Sequence, residues 1–194
     1  MTEFKLVLGS GSPRRKELLA GLSYQFDIRT KDTDESFSPE MDPKEVPAHL
    51  ATRKAEALFN ELEKNEIVLC ADTVVILDGE ILGKPESRDE AIEMLLKLSG
   101  RTHLVVTGVF IGTKQQSRVL SDSTEVTFCE LSKAEIEFYI DNYQPFDKAG
   151  SYGVQEWIGY VAVEKMNGSY TTVMGLPTHL VYRELKEWHF DYAQ

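Results

Sequence analysis

Cysteine is scarce in this sequence, and long hydrophobic runs are absent. The 194 residues include only Cys70 and Cys129, each inside an apolar stretch typical of a strand. Buried thiols of this kind indicate a reducing compartment rather than a disulfide framework. No run approaches the roughly 18 apolar residues that a membrane span needs, and the N-terminus has no charged leader followed by an apolar segment. We therefore expect a cytoplasmic protein with no membrane partner.

Positive charge is also in short supply. The sequence has 21 lysines and arginines against 32 aspartates and glutamates, which gives a formal net charge of -11. A balance this acidic argues against general binding to nucleic acid polymers or anionic membranes. A polyanionic substrate would require a local basic pocket or a divalent cation. The few lysines and arginines are therefore the candidates for binding such a substrate.

Familiar nucleotide-binding and zinc-binding motifs are missing. No Gly-Lys-Ser/Thr follows Gly9-Ser10-Gly11, so this segment is not a Walker A loop, and it lacks the third glycine of a dinucleotide fingerprint. Neither Cys nor His occurs at a spacing typical of zinc sites. If a metal ion binds, oxygen ligands favour Mg²⁺ or Mn²⁺.

The first informative segment lies near the N-terminus. Residues 4–8 form an apolar run that predicts a short buried strand, and residues 13–22 have apolar residues at helical spacing. Ser12 suits the N-cap of that helix and Pro13 its first position. Free backbone N–H groups at such a strand–turn–helix junction favour an anion.

Two arginines follow in the first turn of the predicted helix. Arg14 and Arg15 oppose the helix dipole there, so helix stability alone does not explain them. Guanidinium groups that face phosphate oxygens would explain them. The alternative is an ordinary capped helix with two solvated arginines.

The second informative segment is a strand interrupted by a carboxylate. Residues 67–71 are continuously apolar, as in a strand that is buried on both faces, and strand character resumes at residues 74–77. Asp72 lies between these halves and needs a cation, a metal or backbone donors as partner. A structural aspartate in a turn is the alternative. Asp78-Gly79 then predicts a two-residue hairpin.

The rest of the chain alternates between helical and strand patterns. An acidic loop over residues 30–45 carries Asp32, Asp34 and Glu35. Further helices are predicted over residues 44–63, 88–98, 132–142 and 178–188, and further strands over 24–29, 80–82, 103–113, 117–128 and 157–163. This order predicts an α/β or α+β mixed sheet in one domain over residues 1–194, or two intimate lobes.

These segments together resemble the Maf family of nucleoside triphosphate pyrophosphatases. The resemblance spans nearly the whole chain in the right order. It is carried by Ser10, Ser12-Pro13-Arg14-Arg15, Lys54, Asp72-Thr73-Val74, Gly83-Lys84-Pro85, Thr107-Gly108-Val109, Asp147-Lys148-Ala149-Gly150, Tyr152-Gly153, Gln155, Gly168-Ser169 and Gly175-Leu176-Pro177.

The resemblance implies a fold, an activity and roles for several residues. The fold would be similar to inosine-triphosphate pyrophosphatases: a bent mixed sheet with flanking helices, and two lobes around a cleft. The activity would be hydrolysis of a nucleoside triphosphate to monophosphate and pyrophosphate with a divalent metal. The family's catalytic acid/base matches Asp72, and positions associated with substrate choice match Arg14, Thr73 and Gln155.

The segment over residues 152–155 looks like the branch of the family that acts on dTTP and UTP. Glu156 and Trp157 depart from the pattern, since the family commonly has glycine there. Gln155 and backbone groups would select a pyrimidine by hydrogen bonding to the base edge.

The chemistry of the reaction fits these residue types. Aspartate has a pKa of about 3.9, so Asp72 is an ionised but weak base, and a metal that acidifies water makes a weak base sufficient. We therefore predict Asp72 as base or metal ligand and Glu35 as a further metal ligand. The predicted substrate-binding residues are Ser10, Ser12, Arg14, Arg15, Lys54, Thr73, Lys84, Lys148 and Gln155. Any one of the cations, taken alone, fits a surface charge better than a phosphate ligand.

Two other functions remain open at this point. A nucleotide-binding regulator of cell division, suggested by the family's association with septum formation, would bind triphosphate without turnover. A phosphatase would release orthophosphate first. The sequence also leaves open a homodimer and the choice between canonical and modified nucleotides.

Overall fold

A computed structural model describes residues 4–188 of the chain, and within that range it has a mixed α/β fold. Seven strands lie within the described residues: β1 (Lys5–Leu8), β2 (Phe26–Ile28), β3 (Glu66–Leu77), β4 (Glu80–Leu82), β5 (Thr102–Gly112), β6 (Ser117–Phe128) and β7 (Val163–Asn167). The same range contains seven α-helices: α1 (Pro13–Ala20), α2 (Val46–Leu58), α3 (Arg88–Leu98), α4 (Lys133–Tyr143), α5 (Trp157–Ala162), α6 (Tyr170–Met174) and α7 (Thr178–Glu187). None of these helices is long and apolar enough to cross a membrane.

The strands form a mixed sheet in the order β2-β1-β3-β5-β6-β7, with β4 paired to β3. Strand β1 is parallel to both neighbours, and its Leu6 is in register with Phe26 of β2 and Ile67 of β3. The β3–β4 and β6–β7 pairs are antiparallel. Parallel and antiparallel pairs in one sheet confirm the mixed sheet that the alternating sequence pattern predicted.

The chain divides into two compact units. Unit 1 comprises the chain up to Asp72, the segment Thr107–Asp122 and the chain from Gly175 onward, and unit 2 comprises Thr73–Val106 and Ser123–Met174. Strands β3, β5 and β6 each contribute residues to both units. The organisation of residues 1–194 as one domain stays a prediction.

Unit 1 has apolar clusters on both faces of its strands. Alternate residues of β1 divide between them, because Leu6 and Leu8 join one cluster and Val7 joins the other. The first cluster contains buried residues of α1 and α7, including Leu19, and the second contains buried residues of α2. This confirms the prediction that the apolar run before Asp72 is a strand buried on both faces.

Unit 2 has a single large core. It joins buried residues of α3, α4 and α5 with Phe128 of β6 and Tyr152. His103 lies inside it, 2% exposed, and its Nε2 is 2.7 Å from the Tyr152 hydroxyl. Burial lowers the pKa of His103 to about 4, so this imidazole is neutral at physiological pH.

The predicted hairpin at Asp78-Gly79 and the predicted helix that begins near residue 132 are both confirmed. The hairpin between β3 and β4 turns at Asp78 (φ 53°) and Gly79 (φ 84°), and two positive φ angles are what a type I′ turn requires. Helix α4 begins at a capping box in which the Ser132 side chain accepts from the Glu135 N–H and the Glu135 carboxylate accepts from Ser132.

Two local predictions are wrong in part. Residues 157–162 form helix α5 rather than a strand, because Ile158 and Ala162, four residues apart, share the face that packs into the core; only Val163 belongs to a strand. Ser12 occupies the N-cap of α1 as predicted, but its side chain makes no capping hydrogen bond.

Candidate functional site

The junction between β1 and α1 is held by a close approach of strands. The Gly9 N–H donates to Leu69 O of β3 at 2.8 Å. A Cβ at Gly9 would lie 2.3 Å from Cys70 Sγ and 2.9 Å from Leu58 Cδ1, so only glycine fits there. The chain therefore leaves the sheet in a fixed direction, which places Arg15 near Cys70 and Asp72 of β3.

Arg15 is anchored on both sides of its guanidinium group. Its Nε donates to Gly175 O at 2.9 Å, and a terminal nitrogen donates to Ser10 Oγ at 3.4 Å. Burial lowers the pKa of Arg15, and the nearby Asp72 carboxylate opposes that shift. Arg14, the next residue toward the N-terminus, is partly buried and also has interactions within the protein.

Lys54 of α2 joins two predicted site carboxylates. Its Nζ donates to Asp72 Oδ1 in a short hydrogen bond and lies 2.8 Å from Glu35 Oε1. The side chains of Lys54 and Asp72 are 18% and 14% exposed, whereas that of Glu35 is 50% exposed. Burial alone would lower the pKa of Lys54, but Asp72 and Glu35 outweigh it and hold that pKa above its ordinary value.

The loop that carries Glu35 is also bonded to Arg53, the residue before Lys54 in α2. Arg53 donates to Ser36 O at 3.0 Å and to Asp34 Oδ2 at 3.3 Å. The Ser36 N–H and hydroxyl both donate to the Asp34 carboxylate. Arg53 and Lys54 therefore fix consecutive residues of the loop, and Glu35 faces the lysine.

The start of the same loop is anchored further back by an ion pair whose carboxylate is buried. Arg29 donates through two nitrogens to the Glu66 carboxylate, at 2.9 and 3.0 Å, and also to Glu61 O. Glu66 is only 3% exposed. The hydrogen bond from Arg29 is the main reason that the pKa of Glu66 is lowered, with burial acting in the opposite direction.

A cavity of about 590 Å³ lies in unit 1 beside these groups. Its lining includes both strongly charged side chains and glycine-rich backbone, and consists of Gly9, Ser10, Gly11, Arg15, Thr30, Lys31, Asp32, Thr33, Glu35, Lys54 and Leu58. The cavity thus presents cations, hydroxyl groups and backbone in one place, a combination suited to an anion that is also bound through a metal.

Glu35 and Asp72 fit the donor set of a hard divalent cation. Both converge on one position, which Lys54 Nζ contacts. Among residues 4–188 no group of three or more His, Cys, Asp or Glu side chains is placed to hold a metal ion. Mg²⁺ is commonly bound by one or two carboxylates together with water and substrate phosphates, so two carboxylates are sufficient.

Cys70 is next to these groups but has no nucleophilic role. Its thiol is fully buried, and burial raises its pKa to about 12. A thiol in that state stays protonated at neutral pH, since only the thiolate is a good nucleophile.

The other predicted site residues belong to unit 2. Thr73 follows Asp72 directly in β3, Lys84 is exposed after β4, and Lys148 is 8% exposed. Lys148 Nζ contacts Asp147 Oδ1 at 2.7 Å and Glu156 Oε1 at 3.1 Å. The Gln155 Oε1 atom is buried and has no hydrogen-bond partner among the described residues.

Glu156 forms a network that sequence reasoning missed. The buried Tyr139 hydroxyl donates to Glu156 Oε2 in a short hydrogen bond and accepts the Gly153 N–H at 3.0 Å. The other carboxylate oxygen, Oε1, contacts Lys148. The sequence showed Glu156 only as a departure from the family pattern, and nothing in its spacing pointed to Tyr139.

Sequence reasoning also missed the supports of the unit 1 site. Gly175 was part of the quoted Gly-Leu-Pro motif, but its carbonyl as the acceptor for Arg15 could not be inferred from that motif. Arg53 gave a weak signal, because it adjoins Lys54 on a helix and an acidic loop precedes it.

Fold and site together define an α/β protein in which a cavity lined by Arg15 and Lys54 lies beside a carboxylate pair, and one carboxylate of that pair, Asp72, is within the buried strand β3. The family model described as Maf-like protein matches residues 5–188. The chain belongs to this Maf-like family, as the resemblance predicted.

Known relatives cover almost the whole chain. A "dTTP/UTP pyrophosphatase" of Porphyromonas gingivalis is 51% identical over 191 residues, 97% of this chain and 96% of its own length. A protein of the same name from Phocaeicola vulgatus is 47% identical over 188 residues, 96% of this chain and 97% of its own. Among solved structures, a Ham1 protein of Staphylococcus aureus overlaps 64% of this chain and 71% of its own, at 18% identity and a TM-score of 0.48.

Proposed function

We propose that this protein is a nucleoside triphosphate pyrophosphatase that hydrolyses dTTP and UTP to the monophosphate and pyrophosphate. The observation that carries this function is the 51% identity to a dTTP/UTP pyrophosphatase over nearly the full length of both chains. The arrangement of Arg15, Glu35 and Lys54 around one cavity, with Asp72 in contact with Lys54, supports it, because hydrolysis of a triphosphate needs both a base and cationic groups.

In this proposal the residues of unit 1 act on the phosphate chain. Asp72 accepts a proton from the attacking water or binds the metal, and Glu35 is the second carboxylate ligand. Ser10, Arg15 and Lys54 line the cavity and would hold phosphate oxygens. Ser12 at the N-cap of α1 and Arg14 in its first turn are assigned to the phosphates on the family resemblance. A guanidinium group that is already held by Gly175 O loses little freedom when it binds an oxyanion.

The metal in this proposal is Mg²⁺ or Mn²⁺, held by Glu35 and Asp72. When bound, it would neutralise phosphate charge and lower the pKa of a bound water. A net charge of -11 makes such a cation useful, since a triphosphate must approach an acidic protein.

The residues of unit 2 are proposed to complete substrate binding. We assign Lys84 and Lys148 to the phosphates and Thr73 and Gln155 to substrate choice, on the family resemblance. The buried, unpartnered Gln155 Oε1 supports the choice of base. Uracil and thymine both carry an N3–H donor that could satisfy such an acceptor, whereas cytosine has no hydrogen at N3.

Location and assembly are also part of the proposal. Cys70 and Cys129 are free thiols, which supports a cytoplasmic location. The substrate is a free nucleotide, not a nucleic acid polymer or a membrane lipid. A homodimer would be detected by light scattering after gel filtration.

The decisive experiment is product analysis by ³¹P NMR. The protein is incubated with UTP, dTTP, CTP, ATP and GTP in the presence of Mg²⁺ or Mn²⁺. We expect pyrophosphate as first product, with UTP and dTTP the fastest. Faster turnover of a purine nucleotide would overturn the base assignment, and orthophosphate as first product would overturn the reaction. Tight binding with no turnover would indicate a regulator instead.

A further inference from the structure

The Lys54 ammonium group lies where the two carboxylates meet. Its Nζ contacts Glu35 Oε1 at 2.8 Å and Asp72 Oδ1 at a shorter distance. Glu35 comes from a loop and Asp72 from β3, so Lys54 joins acids from two separate segments of the chain.

We propose that Lys54 is an internal counter-cation, which occupies the meeting point of Glu35 and Asp72 in the nucleotide-free protein and must leave it before a divalent cation binds both carboxylates. The inference rests on the proposed function in one respect, because that function supplies the need for the divalent cation. It goes further by giving Lys54 a role before substrate arrives.

Electrostatics and geometry make the two cations mutually exclusive at this position. The oxygen atoms that hold Lys54 Nζ are those that a divalent ion would require, and an ammonium a few ångströms from such an ion repels it. The lysine is nevertheless free to move, since its charge is carried on a flexible four-carbon stem.

An incoming triphosphate gives Lys54 another partner. Lys54 lines the same cavity as Arg15 and Ser10, so phosphate oxygens bound in the cavity come within reach of its stem. When Lys54 turns to the phosphates, Glu35 and Asp72 become available to the metal. Metal and nucleotide therefore bind cooperatively, and by linkage each strengthens the other equally.

The contacts of Arg53 with the loop keep the Glu35 carboxylate in place during this exchange. Arg53 holds Ser36 O and the Asp34 carboxylate, on both sides of Glu35 in sequence. Glu35 therefore does not depend on Lys54 alone for its position, and the pair of carboxylates persists when the ammonium leaves.

The test measures Mn²⁺ binding to the full chain without nucleotide, from the electron paramagnetic resonance signal of free Mn²⁺. We expect Lys54→Met to bind Mn²⁺ at least about tenfold more tightly than the wild type, because it removes a positive charge in contact with both ligands. Lys54→Gln, which keeps a neutral donor, should change affinity in the same direction.

Lys31→Met is the matched control. Lys31 lines the same cavity, but its ammonium is paired with Glu61 at 2.7 Å. Removal of the Lys31 ammonium changes the charge of the cavity by the same amount, but Lys54 still contacts Glu35 and Asp72. We therefore expect a change in Mn²⁺ affinity of no more than about twofold. An equal gain in Lys31→Met and Lys54→Met, or no gain in either Lys54 variant, would overturn the proposal.

Glu35→Gln provides a test that does not depend on whether the Lys54 variants fold. In the wild-type background it should change Mn²⁺ affinity little, since Lys54 already occupies the carboxylates. Combined with Lys54→Met, it should abolish the gain. If Glu35→Gln alone weakens Mn²⁺ binding by about tenfold, the carboxylates are open to the ion while Lys54 is present, and the proposal fails.

Failure of this inference is distinguishable from failure of the proposed function. Mn²⁺ binding is read without turnover, whereas pyrophosphate release from UTP and dTTP by the wild type tests the function. Normal turnover with equal Mn²⁺ affinities in all variants would reject only the counter-cation role.

Discussion

Lys54 in unit 1 and Lys148 in unit 2 are both largely buried lysines, and each contacts two carboxylates. The partners of Lys54 are Glu35 and Asp72, on a loop and a strand beside a cavity. The partners of Lys148 are its sequence neighbour Asp147 and Glu156, and Glu156 is itself bonded to the buried Tyr139.

The difference between the two lysines lies in what their partners can do. Glu156 is bonded through both oxygens, so its carboxylate is fixed by contacts within unit 2. Glu35 is half exposed, and the Lys54 cluster borders a cavity that admits a ligand. We therefore expect substitution of Asp72 to affect activity most, and substitution of Glu156 to lower stability more than substitution of Glu35 does.

The largest expected effect is on catalysis by Asp72. Asp72→Asn keeps the shape of the side chain but removes the negative charge and the proton acceptor. We expect pyrophosphate release from UTP to fall about 10²- to 10⁴-fold, the usual contribution of a general base. Nucleotide binding, measured by isothermal titration calorimetry, should persist. A loss of rate below about tenfold would contradict the role of Asp72.

The second prediction concerns the contacts of Glu156 in unit 2. Glu156→Ala leaves Lys148 and the Tyr139 hydroxyl without their shared acceptor, and we expect the free energy of unfolding to fall by about 3 kcal/mol. Urea denaturation followed by circular dichroism measures this change. The matched control is Glu35→Ala, whose carboxylate is half exposed; it should cost less than about 1 kcal/mol. Equal losses of unfolding free energy in Glu156→Ala and Glu35→Ala would contradict the predicted difference between the two carboxylates.

The third prediction is a pH dependence of stability from the Arg29–Glu66 pair. Arg29→Met should lower the free energy of unfolding by about 1.5–3 kcal/mol at neutral pH, because a buried carboxylate loses charged hydrogen bonds.

The sign of the pH dependence follows from the shift of Glu66. Arg29 holds the pKa of Glu66 below its unfolded-state value, so the stabilisation is present above that value and is lost as pH falls through the folded-state pKa. The difference between wild type and Arg29→Met should therefore shrink as pH drops from about 6 to about 3. Denaturation curves at several pH values measure it, and a difference that grows toward acid pH would contradict the assignment.

The smallest expected effect comes from an exposed pair with similar geometry. Arg88 also donates through two nitrogens to one carboxylate, that of Asp141, but the two side chains are 45% and 52% exposed. We expect Arg88→Gln to leave the free energy of unfolding close to that of the wild type. Urea denaturation checks this value, and a loss as large as that of Arg29→Met would show that geometry outweighs burial.

Much of the fold could be predicted because local rules agree with tertiary packing in most elements. Helix α3 has the predicted bounds, since the Ser87 cap and the helical spacing of Ala91, Leu95 and Leu98 all favour it. Helix α5 was missed because its six residues, rich in aromatic and β-branched types, are too few to show a period. Only its contact with the core identifies its buried face.

The candidate site was predictable as a set of residues but not as an arrangement. The motifs indicated Asp72 and Lys54, the acidic loop offered Glu35, and chemistry could assign each a role. The roles of Arg53, Gly175 and Glu156 escaped, because each acts through a contact with a residue far away in sequence or with a backbone atom.

The sequence by itself determined the mixed α/β fold, the strand buried on both faces and the membership of the Maf-like family, since these depend on periodicity and on motifs read in order. Only the tertiary structure decided that Lys54 lies between Glu35 and Asp72, while Lys148 is held by Glu156. The physical reason is that the energy of a charge depends on its neighbours and its exposure to water, and chain folding sets both.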